Sequence, residues 1–169
     1  MLKSFSVSSL IILFFVVFET AILSNLMVLP AVPDLLLIVT LFVSVHNGRL
    51  FGVSSGFLSG LFLDFLSASP FGLNCLLRTI IGYVAGLFNK TLNMGGIFLP
   101  ILIGFLATLL KVLLVGMISF VFVDSVVSYT LFSKEFLFEI AANSLLTPLV
   151  FKFLNLFSGV ILLNPEKVS

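Results

Sequence analysis

Four charged residues stand where an otherwise apolar chain offers them no water: Glu19, Asp64, Arg78 and Lys111. Two acids and two bases at such positions can do one of two kinds of chemistry. Strung along a path, they pass a proton or an ion, as intramembrane ionisable groups do in pumps. Matched in pairs, they are structural ties that specify which helices meet. The equal number of each sign favours pairs, because a carrier keeps a titratable group without a fixed counter-charge. An isolated charge costs about 2.5–3.5 kcal/mol on membrane-insertion scales, so each must face inward and find a partner. At 1.5 Å per helical residue, Glu19 lies ~21 Å into the first apolar run. The same arithmetic puts Asp64, Arg78 and Lys111 near one plane of a ~30 Å hydrocarbon layer. Asp64 is therefore expected to pair with Arg78 across a hairpin, and Glu19 with Lys111.

The elements that must position these charges are membrane spans. The 169 residues are 60% hydrophobic and only 9% charged, with a mean hydropathy of +1.35. A soluble domain carries roughly a quarter charged residues. A lipid-spanning helix needs about 20 apolar residues, so the length accommodates about six spans with short loops. Hydropathy and breakers place them at roughly 5–29, 34–45, 50–66, 73–88, 97–123 and 136–156, the second being short. The expectation is an all-α polytopic membrane protein in one compact bundle, with residues 1–169 as a single integral membrane domain. The first run passes the length of a signal peptide and contains Glu19, which reads as an uncleaved span. Pro100 and Pro148 are expected to bend the fifth and sixth spans. A cytoplasmic N-terminus gathers Lys3, Arg49, Lys90, Lys152 and Lys167 on that side and leaves Lys134 opposite. Both termini are thus expected in the cytoplasm.

Glycines show how the third and fourth spans meet. Gly48, Gly52, Gly56 and Gly60 recur at every fourth residue and lead to Asp64, while Asn74, Arg78, Gly82, Gly86 and Lys90 form a similar row. Small residues at this spacing let two helix backbones approach closely. They predict a tight hairpin, glycine against glycine, with the acid and base meeting near its outer end. The competing reading gives one glycine row to the transmembrane helix of another protein.

Much chemistry is excluded by composition. His46 is the only histidine, so no histidine-paired metal site or HExxH motif can be built within one chain. No GxxxxGK[ST] phosphate loop occurs, and a net charge of +1 offers no basic surface for nucleic acid. Serines such as Ser44, Ser54, Ser59 and Ser119 read as helix-bonded hydroxyls rather than nucleophiles. Cys75, the single cysteine, reads as a small buried hydrophobe. Asn89-Lys90-Thr91 matches a glycosylation acceptor but falls on the cytoplasmic side. No cofactor and no catalytic residue is expected.

The segment from Leu29 to Leu87 resembles the bacterial rod shape-determining protein MreD family. The features run in order: a proline, then "PDLLLI" from Pro33 and Asp34, a short polar turn, "GxxxGLxxD" across Gly56, Gly60 and Asp64, "PFGLN" from Pro70 through Gly72, Leu73 and Asn74, and a "GY" ending in Tyr83. Ser67, Ala68 and Ser69 stand where the family often has a glycine in the turn. The resemblance implies a non-enzymatic scaffold of the elongasome in the bacterial inner membrane, which binds MreC and supports cell shape and lateral peptidoglycan synthesis. It also implies association with MreB, RodA and a class B penicillin-binding protein, directly or through MreC. A small six-helix membrane protein could instead be the substrate-binding subunit of an energy-coupling-factor vitamin transporter, to which the fold is expected to be similar. Zero Trp and two Tyr make a poor vitamin pocket. The 21 Phe supply lipid-facing bulk or knobs for a partner helix.

Overall fold

A computed structural model describes residues 2–25, 30–67, 69–89, 91, 96–121 and 133–162. Seven α-helices occur among them: α1 (Leu2–Ala21), α2 (Leu35–Asn47), α3 (Arg49–Leu66), α4 (Leu73–Leu87), α5 (Phe98–Val121), α6 (Lys134–Asn155) and the short α7 (Ser158–Ile161). A 3-10 turn at Leu23–Asn25 follows α1. The first helix thus ends well short of the expected residue 29, and residues 26–29 lie outside the described part. Four helices, α1, α3, α5 and α6, are long and apolar enough to cross a membrane; α2 and α4 are shorter apolar helices. Large side chains such as Leu10, Phe14, Phe98, Leu113 and Leu145 point outward. That is the pattern of a surface facing lipid rather than water.

The shortness of α2 has a physical reason. Every residue from Leu35 to Val45 is buried, and the helix packs against α1, α3, α4, α5 and α6. A helix that is apolar all round is a core helix, and here it is the axis on which the others lean. Asp34 starts it: its carboxylate accepts from the Leu37 amide at 2.8 Å, satisfying one of the orphan donors of the first turn. Gly48 ends it with φ +91 and at once begins α3, a conformation that L side chains rarely adopt. Gly48 is therefore a corner between two helices rather than the first member of the α3 glycine row. Pro100 falls in the first turn of α5, where a missing amide costs nothing, so it does not bend that span; Pro148 lies inside α6, which continues to Asn155.

The most extensive helix pairing is α3 with α4, and its register is set by backbone contact. A Cβ on Gly52 or Gly82 would strike the other's carbonyl oxygen, one on Gly56 would strike Arg78 O, and one on Gly60 the backbone of Asn74 and Cys75. A Cβ on Gly86 would come within 2.7 Å of Arg49 Cα. Both glycine rows are thus occupied by each other, which leaves neither open to a foreign helix. Gly52 also faces α2, since its Cβ would lie 2.8 Å from Ser44 Oγ, and across the same junction Thr40 and Ser59 hydroxyls hydrogen-bond at 3.0 Å. Lys90, at the end of the α4 row, lies outside the described residues.

Replacing Gly52 by Val should overpack the junction of α2, α3 and α4 and cost at least ~1–3 kcal/mol. A marked fall in the thermal midpoint of the detergent-solubilised protein is expected, against no fall for Gly116→Ala, where a Cβ meets open space and alanine favours the helix.

Candidate functional site

The buried charges form an ion-pair network centred on Asp34 rather than Asp64. Arg78 Nη2 donates to Asp34 Oδ1 at 2.6 Å, and Lys111 Nζ donates to Asp34 Oδ2 at 2.9 Å and to Glu139 Oε1 at 2.6 Å. Four side chains from α4, the start of α2, α5 and α6 form one chain of alternating sign with no net charge. Arg78, Asp34 and Glu139 are buried, and Lys111 is 17% exposed at its side chain. Asn143 extends the network: its Oδ1 accepts from the Asp34 amide at 2.8 Å and its Nδ2 donates to Thr108 Oγ1 at 3.1 Å. Gly104, one turn before Thr108, allows the approach, because a Cβ there would strike Thr147 Oγ1 and lie 3.1 Å from Asn143 O.

Both expected pairings are therefore replaced. Asp64 accepts from the amides of Gly72 at 3.0 Å, Asn74 at 3.1 Å and Cys75 at 3.0 Å, and from Asn74 Nδ2 at 2.9 Å. It caps the N-terminus of α4, where free amides and the helix dipole favour an anion. The hairpin register explains why it does not reach Arg78. Gly56 is the residue opposite Arg78, and Asp64 lies about two helical turns further along α3. Glu19 accepts from the Leu36 amide at 3.0 Å through Oε2, while Lys111 makes its ion pairs with Asp34 and Glu139. The reason is placement: α1 packs on α2, α3 and α7, whereas α5 packs chiefly on α6, so the end of α2 lies between them.

The remaining positions singled out by sequence are distributed along this frame. Pro33 precedes the capping Asp34, and Pro70, Gly72, Leu73 and Asn74 build the α3–α4 turn, with Gly72 in the left-handed region at φ +92. Tyr83 is exposed. His46 bonds Phe42 O through Nδ1 at 2.8 Å and packs its ring, tilted by 38°, against that of Phe42. Glu139, Asn143, Thr108 and Gly104 were not singled out. Their signal is nevertheless in the sequence: Glu139, Asn143 and Thr147 repeat at four-residue spacing, as do Gly104 and Thr108 ahead of Lys111, a polar stripe on each helix.

Chemically, the arrangement holds helices together. Among the described residues, no group of three or more His, Cys, Asp or Glu side chains is placed to hold a metal ion. Residues 2–157 match the family described as rod shape-determining protein MreD. Neither a curated protein nor a solved structure matches the chain.

Removing one member of the tetrad leaves an uncompensated buried charge, which typically costs 3–5 kcal/mol. Glu139→Gln should therefore sharply lower the thermal midpoint. Adding Lys111→Met should restore most of it, because Asp34 and Arg78 then remain as a neutral pair; a double variant no more stable than the single one would refute this charge accounting.

Proposed function

The chain belongs to the rod shape-determining protein MreD family, and we propose that it is a non-enzymatic membrane scaffold of the elongasome that binds MreC. Membership implies a role in rod shape determination and, with several apolar helices, a multi-pass protein of the inner membrane. The family match over residues 2–157 is the observation that carries this reading.

In this reading α1 to α6 all cross the membrane. α2 and α4 are about 20 and 22 Å long at 1.5 Å per residue, short for a ~30 Å core, and a locally thinned bilayer accommodates them at modest cost. The alternation places Arg49 and Lys152 at cytoplasmic ends and Lys134 at the outer face, in line with the positive-inside rule. Both termini are then cytoplasmic.

The partner helix has a seat suited to it. The α3–α4 and α5–α6 pairs are each tightly packed, whereas α4 and α5 touch only lightly. Between them runs an apolar groove of about 240 Å³, with Val84 and Phe88 on one wall, Leu102 and Leu106 on the other, and Leu41 and Val45 of α2 as its floor. Such a seam, wholly apolar and open to lipid, fits the single transmembrane helix of MreC through van der Waals packing. MreB, RodA and a class B penicillin-binding protein then join directly or through MreC.

Affinity purification from native membranes in mild detergent should recover MreC with RodA or its transpeptidase. Recovery of paired ATPases with a transporter coupling subunit would overturn the reading in favour of a vitamin carrier. Leu102→Trp and Leu106→Trp, at lipid-facing positions, should lower MreC recovery about tenfold, a change of ~1.4 kcal/mol, and round the cells without reducing the protein's own abundance.

A further inference from the structure

Where α1 ends and α2, α4 and α6 begin, the charged tetrad borders an open cleft of about 390 Å³. Asp34, Arg78 and Lys111 line it, together with Glu19, Asn74 and Glu135, and Pro30, Val32 and Leu63 add apolar wall. The other recesses between the helices are apolar, so one with both charge signs and a greasy flank is a feature of its own. Arg78 is only 3% exposed, yet its Nη1 has no hydrogen-bond partner among the described residues. Its Nη2 is already engaged by Asp34. A buried guanidinium donor left without an acceptor is costly, and the planar fork is suited to an oxygen anion.

The charges around the cleft decide what that anion belongs to. Glu19, Asp34 and Glu135 would repel a bare anion, and Arg78 and Lys111 would repel a bare cation. A molecule carrying both signs satisfies the two halves together. Glu19 makes one hydrogen bond to the Leu36 amide, and a carboxylate has about four acceptor sites, which leaves capacity for an ammonium. Glu135 is exposed at the first turn of α6, where headgroups lie if α6 spans the bilayer. We propose that this cleft binds a zwitterion of the phosphoethanolamine kind, its oxyanion on Arg78 Nη1 and its primary ammonium on Glu19 and Glu135. The molecule is either the headgroup of an aminophospholipid or a soluble compound with the same two charges.

The test uses the full-length protein, delipidated in detergent, with three probes: phosphatidylethanolamine, phosphatidylglycerol and soluble glycerophosphoethanolamine. Native mass spectrometry should show phosphatidylethanolamine retained about tenfold more than phosphatidylglycerol. Glu135→Gln, a change at an exposed side chain that leaves folding intact, should reduce that preference, and Glu19→Gln combined with it should abolish it. A thermal shift with glycerophosphoethanolamine assigns the soluble source; its absence with the lipid retained assigns the headgroup. Equal retention of the two lipids, retention of neither, or a preference untouched by Glu135→Gln overturns the proposal.

Discussion

Asp34 carries the structure. Its carboxylate caps α2, binds Arg78 of α4 and Lys111 of α5, and its amide is held by Asn143 of α6. Lipid cannot solvate a charge or an unsatisfied amide, so once the first turn of α2 is enclosed by its neighbours, every one of those groups must be matched within the protein. The requirement converts a local capping residue into the point that fixes three helices around a fourth. Ion pairs of this kind contribute less to net stability than their Coulomb attraction suggests, because desolvation offsets most of it. Their consequence is specificity: Lys111 has acids on two different helices, α2 and α6, and that geometry admits one arrangement of α5.

Glycine does the complementary work at the other end of the hierarchy. With no side chain at Gly52, Gly56, Gly60 and Gly82, the backbones of α3 and α4 meet directly, and dispersion between closely approached helices replaces the hydrophobic drive that lipid does not provide. This contact fixes the hairpin register, and the register in turn aims Arg78 past α3 toward α2. Packing without charge and charge without water thus solve one problem from two sides.

The resulting body has two tight pairs, α3–α4 and α5–α6, leaning on a buried axis. The α4–α5 seam is left apolar and lightly packed, with Leu41 and Val45 of the buried α2 lining its base. The polar cleft lies at the opposite extreme of composition, next to the tetrad, so one end of the frame is charged and one flank wholly apolar.

Hydropathy, the glycine spacing and the isolated charges were all legible in the chain. They determined a helical membrane protein, a close α3–α4 hairpin and the burial of Glu19, Asp64 and Arg78, because each rests on local periodicity or on the cost of a group in lipid. The ordered run through Pro33, Asp34, Gly56, Asp64 and "PFGLN" pointed to the family. The partners of the charges were not legible. Depth arithmetic treats span ends as fixed, yet α1 stops at Ala21 and Asp64 sits beside a turn, so groups of equal calculated depth face different neighbours. Only the packing of α2 at the centre decided that Arg78 and Lys111 share Asp34, since pairing depends on how each helix is rotated about its axis, and sequence spacing defines a face without saying what that face meets.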